Sequence, residues 1–107
     1  YDAYCASKAG LVGFCRALAR DLAREKITVN AALPSWTRTA MAEASWARIG
    51  REAGGDARAG EKLSMKDVPL GRAAEPDEVA SVVRWLVSEG AAATTGQCFV
   101  VDGGAAA

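Results

Sequence analysis

The first part of the chain carries apolar residues at steps of three and four positions, the spacing of one face of an α-helix. This pattern predicts a helix over about residues 7–24, with arginine and aspartate side chains on the opposite face. Gly10 and Gly13 interrupt it, and each weakens a helix by about 1 kcal/mol relative to alanine. Two interpretations of these glycines stay open: they let another element approach closely, or they are tolerated at the surface.

Two short apolar runs, partly β-branched, predict strands. The first covers residues 27–33 and stops at Pro34, and the second covers residues 98–101. Their composition is typical of strands buried on both faces of a sheet. Between them a second helix is predicted over residues 75–90, because proline and acidic residues suit its first turn and Gly90 suits its C-terminal stop.

The stretch between the first strand and the second helix is alanine-rich and only weakly periodic. It predicts helical pieces over residues 40–51 and 57–66, separated by a break at Gly54-Gly55-Asp56. Such an insertion is either a lid over a site or a plain surface excursion. The order helix–strand–lid–helix–strand predicts an α/β fold.

Composition limits the class of protein. The chain has 107 residues, enough for one small domain, with 50% hydrophobic and 24% charged residues. Thirteen basic residues balance 13 acidic ones, so nothing favours nucleic acid or an anionic membrane as a partner. No apolar run approaches the ~20 residues of a membrane span.

Histidine is absent, and the cysteines are few. The lack of histidine argues against Ser-His-Asp and Cys-His catalysis and against most transition-metal sites, so no metal site is predicted. The three cysteines, Cys5, Cys15 and Cys98, are odd in number and widely spaced. They suit reduced thiols in a cytoplasmic protein better than a disulfide framework.

Tyr4 and Lys8 lie four positions apart near the start of the first helical pattern. Residues spaced in this way are neighbours on a helix, about 5–6 Å apart at Cβ, so the phenol and the ammonium are predicted to face one reacting atom together. A cation lowers the pKa of a neighbouring phenol toward the range useful for acid–base catalysis. The competing interpretation is an ordinary surface pair. Tyr1 is an internal comparison, because Cys5 and no cation follows it at this spacing.

The turn at residues 34–39 follows the carboxyl end of the first predicted strand, the edge at which open α/β sheets bind ligands. Its hydroxyls, on Ser35, Thr37 and Thr39, suit an amide or a phosphate. An ordinary hydroxyl-rich loop is the alternative interpretation.

Four stretches together resemble the short-chain dehydrogenase/reductase family, in the family's order and over nearly the whole chain. Tyr4-Cys5-Ala6-Ser7-Lys8 resembles its Y-x-x-x-K motif. Ile27-Thr28-Val29-Asn30 and the turn at 34–39 resemble I-x-V-N…P-G-x-x-x-T. The others are residues 70–72 with 75–80, and residues 95–97 with 101–104.

The resemblance implies a Rossmann-like, doubly wound parallel sheet, of which residues 1–107 form the C-terminal part. It implies Tyr4 as the acid/base and Lys8 as the residue that lowers the Tyr4 pKa and binds the nicotinamide ribose. The implied cofactor is NAD or NADP. Besides these two side chains, the implied cofactor-binding residues are Pro34, Ser35, Thr37 (through its backbone) and Thr39.

The same resemblance implies a substrate loop at Trp36 and residues 41–46, and a small carbonyl or secondary alcohol as substrate. It further implies a homo-oligomer, a dimer or tetramer, with one contact through the first helix and another through the last helix and strand. Ser35 replaces the glycine usual in the family, which is costly if the turn requires a positive φ.

The family's glycine-rich cofactor loop, catalytic serine and catalytic asparagine have no counterpart in these residues and are expected upstream of Tyr1. We therefore expect the parent protein to be an NAD(P)-dependent oxidoreductase and the isolated chain to be inactive. The alternative is a truncated, non-catalytic relative that acts only as an association module through the helix at residues 7–24.

Overall fold

The computed structural model describes residues 1–107. Its main elements, in chain order, are α1 (Asp2–Asp21), β1 (Ala31–Pro34), α2 (Ala40–Glu52), α3 (Ala57–Ser64), α4 (Pro76–Leu86) and β2 (Cys98–Val101). Short 3-10 turns occupy Ala23–Glu25 and Glu89–Ala91. This order confirms the predicted sequence of helices and strands and the α/β class. Helices α2 and α3 form the predicted insertion between β1 and α4 and are called the lid helices below.

Helix α1 begins five residues earlier than the apolar pattern predicted. Its first turn is closed by the bond from the Cys5 N–H to the Tyr1 carbonyl, at 2.8 Å, and no side chain caps it. Propagation of backbone hydrogen bonds needs no apolar face, so periodicity located the buried part of the helix and missed its exposed first turns. Tyr4 and Lys8 therefore lie within regular helix.

Strand β1 is shorter than predicted, because residues 27–30 are not in regular strand structure. The Val29 N–H donates to the Thr95 hydroxyl at 3.0 Å, and the Val29 carbonyl accepts from Gly96 at 2.7 Å. Asn30 follows the same pattern, since its side-chain oxygen accepts from the Gln97 N–H at 3.1 Å. The apolar run is thus anchored by side chains and a turn before the ladder begins.

The two strands pair with each other in a parallel sheet. The Ala31 N–H donates to the Gln97 carbonyl at 2.9 Å, and the Ser35 N–H donates to the Val101 carbonyl at 3.1 Å. Both bonds join residues at the same offset along the chain, as parallel register requires. Pro34 and Val100 are exposed and the other strand residues are half-buried, so the prediction of burial on both faces is wrong. Each strand has only one neighbouring strand.

The chain divides into two compact units. The first comprises Tyr1–Leu33 and Ser81–Phe99, and the second comprises Pro34–Ala80 and Val100–Ala107. In the first unit the buried side chains are Cys15, Ala19 and Ala91. The Cys15 thiol donates to the Val29 carbonyl at 3.6 Å. All three cysteines of the chain are free.

Helix α4 ends at Leu86, four residues before the predicted stop at Gly90. The Ser88 N–H and hydroxyl both donate to the Trp85 carbonyl, at 3.0 and 2.6 Å. This i→i+3 closure competes with continuation of the helix. Gly90 lies in the following 3-10 turn instead.

The second unit has its core between the lid helices and the segment that follows them. The buried cluster consists of Ala42, Trp46, Met65, Val68 and Ala73, with Trp36 packed against it. An N-cap residue precedes each of the helices α2 and α3. The side-chain oxygens of these residues, Thr39 and Asp56, accept hydrogen bonds from backbone N–H groups at 3.3 and 2.9 Å. The weakly periodic stretch is therefore an ordered helical hairpin.

Glycines allow the two lid helices to approach at backbone contact. A Cβ at Gly60 would lie 1.9 Å from the Trp46 carbonyl oxygen and 2.7 Å from the Gly50 nitrogen. A Cβ at Gly50 would lie 1.8 Å from the Asp56 carbonyl oxygen. No side chain fits at either position without separating the helices.

Gly60→Ala is expected to destabilise the chain, because the new methyl group overlaps backbone atoms that cannot rotate away. Overpacking of this kind typically costs about 1–3 kcal/mol, and the backbone overlap places this variant at or above the upper end. The measurement is urea unfolding followed by tryptophan fluorescence.

Gly10→Ala is the matched control, since Gly10 lies in α1 and a Cβ there meets no atom within 4 Å. This variant is expected to gain up to about 1 kcal/mol from helix propensity. Equal unfolding midpoints for Gly60→Ala and the unmodified chain would contradict the close crossing.

Candidate active site

Tyr4 and Lys8 are neighbours on α1, as their spacing predicted. The Lys8 Nζ lies 5.5 Å from the centroid of the Tyr4 ring, over its face. The tyrosine side chain is 61% exposed. Its backbone carbonyl accepts from the Ser7 hydroxyl at 2.8 Å, and its phenol oxygen bonds to no group of this chain. The pair thus offers an accessible hydroxyl with a cation held beside its ring.

The turn after β1 belongs to the second unit. Pro34 and Ser35 are exposed, and the Ser35 N–H extends the β2 pairing. Lys26 is the only non-glycine residue with a positive φ, so Ser35 adopts an ordinary conformation. The condition under which serine is costly at this position is therefore not met in this structure.

Thr37 presents an unpaired backbone donor. Its neighbours bond to Ala74 in a short parallel bridge: the Arg38 N–H donates to the Ala74 carbonyl at 2.8 Å, and the Ala74 N–H donates to the Trp36 carbonyl at 2.9 Å. The Thr37 N–H itself donates to no group of the chain. Its hydroxyl donates to the Ser35 carbonyl at 3.1 Å. A ligand amide oxygen is a suitable partner for the free N–H.

Thr39 serves the fold as well as the candidate site. It is the N-cap of α2, and its hydroxyl oxygen accepts from the Ala42 N–H at 3.3 Å. The hydroxyl proton remains available to a ligand, since a hydroxyl both donates and accepts. Thr37 and Thr39 lie on one turn, whereas Tyr4 and Lys8 lie in the other unit.

Arg38 lies between these threonines and fixes the turn through its side-chain contacts. The sequence analysis did not predict this role. Its guanidinium bonds Glu61 of α3, bonds Glu75 at 3.3 Å, and lies over the Trp46 ring with 5.2 Å between the guanidinium carbon and the ring centroid. The hydrogen bond with Glu61 and its charge raise the pKa of Arg38. Its partners are distant in sequence, so no local pattern indicates them.

The expected substrate loop contains both packed and exposed side chains. Trp46 is 2% exposed and belongs to the core, and its ring centroid lies 5.7 Å from that of Trp36. Its indole nitrogen is buried without a partner. Met41, by contrast, is 82% exposed. Within residues 41–46, Met41 is therefore the large apolar side chain open to a ligand.

A second ion pair secures the start of α4. Arg72 donates to both carboxyl oxygens of Glu78 at 2.7 Å, and the same carboxylate accepts from the Glu75 N–H at 2.7 Å. The Glu75 bond is the reach-back half of a capping box. The hydrogen bond from Arg72, followed by that from the Glu75 N–H, lowers the pKa of Glu78 to about 2.

The glycine pair near the end of the chain satisfies its own backbone. The Asp102 carboxylate accepts from the Gly104 N–H and the Ala106 N–H, each at 2.8 Å. These donors are therefore occupied within the turn, which fits the absence of a following helix. We therefore assign this turn a structural role.

Comparison with known proteins identifies the family of the chain. Residues 1–106 match the family described as Enoyl-(Acyl carrier protein) reductase. The chain belongs to the short-chain dehydrogenase/reductase family. The resemblance of its four motifs is thereby confirmed.

Relatives of this family cover almost all of the chain. The 3-oxoacyl-[acyl-carrier-protein] reductase FabG of Pseudomonas aeruginosa is 44% identical over 101 residues, which are 94% of this chain and 36% of that protein. A short chain dehydrogenase family protein of Francisella tularensis superposes with a TM-score of 0.92 at 31% identity, covering 97% of this chain and 43% of the other.

A third family member carries a cofactor in its crystal structure. It is an actinorhodin polyketide ketoreductase solved with NADPH, at 41% identity and a TM-score of 0.86, covering 95% of this chain and 39% of that one. The chain thus spans about two fifths of the length of the family members it matches.

Within the chain, no helix combines the length and apolar character needed to cross a bilayer.

The Arg72–Glu78 pair predicts a specific acid response. Glu78 has a pKa of about 2 in the folded chain, against ~4.3 for an unperturbed glutamate. The pair therefore contributes its full stability above about pH 4.3 and loses it as the pH falls toward 2. In Arg72→Gln we expect the pKa of Glu78 to return toward the ordinary range, measured by carboxyl ¹³C NMR titration.

Arg48→Gln is the control for this titration, because Arg48 pairs with Glu52 on α2. It is expected to leave the Glu78 titration unchanged. A Glu78 carboxyl that titrates near pH 4 in the unmodified chain would show that the bidentate pair does not persist in solution.

Proposed function

We propose that residues 1–107 form the C-terminal part of an NAD(P)-dependent oxidoreductase. The parent protein interconverts a carbonyl group and a secondary alcohol, with Tyr4 as general acid/base and Lys8 as its partner. The observation that carries this proposal is the accessible Tyr4 hydroxyl with the Lys8 ammonium beside the ring. Membership of an oxidoreductase family supports it.

Tyr4 handles the proton in this proposal. In the reducing direction its phenol O–H donates a proton to the substrate oxygen as that oxygen becomes an alcohol, and the phenolate forms. In the oxidising direction the phenolate accepts the alcohol proton. The Lys8 ammonium would stabilise the phenolate as it forms and would donate to the ribose of a bound cofactor. The nicotinamide supplies or accepts the hydride when it is bound.

The turn after β1 is the proposed nicotinamide contact, through Pro34, Ser35, Thr37 and Thr39. The unpaired Thr37 N–H suits the oxygen of a carboxamide, and the Thr39 hydroxyl retains a proton to donate. Arg38 keeps this segment in place through its ion pairs. The NADPH in the related ketoreductase structure supports a nicotinamide cofactor, NAD or NADP.

The partners proposed for the whole protein are a small carbonyl or alcohol substrate and further copies of itself. Relatives named as 3-oxoacyl and polyketide reductases support a carbonyl substrate. Helix α1 exposes Leu11 and Phe14 beside Gly10 and Gly13, a surface suited to close helix packing in a dimer or tetramer. The free thiols suit the proposed cytoplasmic location.

Tyr4→Phe in the full-length protein tests the acid/base role. The change removes only the hydroxyl, so we expect kcat to fall by about 10²–10⁴, the range of general acid–base catalysis, with cofactor affinity kept. The measurement is steady-state oxidation of NADPH and NADH with a small ketone. Tyr1→Phe is the matched control, because Tyr1 is an exposed tyrosine at the N-cap of the same helix and no lysine follows it one turn later. Equal losses in both variants would refute the proposal.

Calorimetric titration of NADH and NADPH into the 107-residue chain tests how much of the cofactor site it holds. We expect no binding that depends on Lys8 and no turnover, because the family's glycine-rich phosphate loop has no counterpart in these residues. Binding that Lys8→Met abolishes would show that this chain retains the site. If the full-length protein also neither binds nor turns over nicotinamide cofactors, the non-catalytic association module is the better interpretation.

A further inference from the structure

A cleft of about 530 Å³ lies in the first unit, between the second half of α1 and the turn before β2. One wall carries Arg16 and Arg20 with small alanine side chains beside them. The other wall is the turn at residues 95–97. None of these residues belongs to the proposed catalytic pair or to the proposed cofactor turn.

The charge in this cleft is uncompensated. No acidic residue lines it, and neither Arg16 nor Arg20 forms an ion pair. Elsewhere in the chain Arg38, Arg48 and Arg72 have carboxylate partners, whereas Arg51 has none. Like charges four apart on a helix repel, at a cost of roughly 0.2–0.5 kcal/mol. Here no carboxylate forms an ion pair with either guanidinium.

The helix dipole accounts for only part of this arrangement. A cation in the last turn of a helix is favourable, and Arg20 occupies the last turn of α1. Arg16 lies one turn further back, where the dipole effect has faded. The helix dipole therefore does not account for Arg16 or for the cleft between Arg16 and the turn.

The opposite wall offers hydrogen-bond donors. The Thr95 hydroxyl oxygen accepts from the Val29 N–H at 3.0 Å, which leaves its own proton free to donate. The Gln97 amide nitrogen donates one of its two protons to the Thr95 carbonyl at 3.0 Å. Gly96 has a φ of +72°, a conformation that favours glycine, and a Cβ there would make an ordinary contact of 3.5 Å with the Ala19 Cβ of α1. Two guanidiniums and two polar side chains thus line one small space.

We propose that this cleft, formed by Arg16, Arg20 and residues 95–97, binds the phosphoryl group of a phosphorylated small molecule. Two guanidiniums match the charge of a phosphate monoester, about −1.5 to −2 at neutral pH, and their planar forks suit phosphate oxygens. The volume lies within the range of about 300–1,000 Å³ typical of small-molecule sites. A single carboxylate leaves one of the two cations unmatched.

The test is a ¹H–¹⁵N NMR titration of the 107-residue chain with inorganic phosphate and with glycerol 3-phosphate, in chloride buffer at constant ionic strength. We expect saturable shifts of the amides at residues 95–97 and of the Arg16 and Arg20 side-chain N–H groups. Arg16→Gln and Arg20→Gln are each expected to weaken binding at least tenfold. Arg16→Lys, which keeps the charge and loses the fork, is expected to weaken it less.

Arg51→Gln is the matched control, because Arg51 is an exposed arginine without an ion pair on α2, and its affinity should stay within twofold. Should an arginine variant fail to fold, Ala17→Asp places a carboxylate in the same cleft and is expected to abolish binding. Three outcomes overturn the proposal: linear shifts equal to those with added chloride, acetate binding as well as phosphate, or saturable binding that these substitutions leave unchanged.

Discussion

The parallel pairing of β1 with β2 is the contact on which the rest of the structure depends. It joins backbone groups that are far apart in sequence, as in the bond between Ala31 and Gln97, and the entropy of closing so long a loop must be offset. Side chains share that task. Thr95 and Asn30 bind backbone groups just before the ladder begins, so the register is set before the first strand residue. The turn at residues 34–39 then starts from a fixed point.

The two groups of candidate site residues, one in each unit, depend on different physical principles. On the turn, Arg38 bonds two carboxylates and covers an aromatic ring. These contacts fix the position of the turn, while the neighbouring Thr37 N–H stays without a hydrogen-bond partner. On α1, helix geometry alone brings Lys8 to the face of Tyr4, and both side chains remain open. An open tyrosine lacks the enclosed surroundings that strengthen electrostatic effects. For that reason the proposed activity is assigned to a protein longer than this chain.

The lid hairpin shows why weak periodicity is a poor guide to order. Helices α2 and α3 were predicted almost to their ends from a weak helical pattern and the break at residues 54–56. Their caps, Thr39 and Asp56, were not part of that prediction. Their tight crossing was not predictable, since Gly50 and Gly60 resemble helix-weakening residues until their backbone neighbours are known. Alanine and glycine give little amphipathic signal while permitting the closest helix approach.

Local chemistry in the chain was enough to predict the α/β class, the order of elements, strand β2 and the neighbouring positions of Tyr4 and Lys8. Each of these follows from interactions over a few residues: backbone periodicity, caps, turn residues and the i, i+4 spacing. The start of α1, the length of β1 and the end of α4 depended on hydrogen bonds that carry no apolar pattern. The ion pairs of Arg38, and the lack of an ion pair at Arg16 and Arg20, depend on long-range packing. The tertiary structure decides which carboxylates lie close to each guanidinium, and the neighbouring sequence does not.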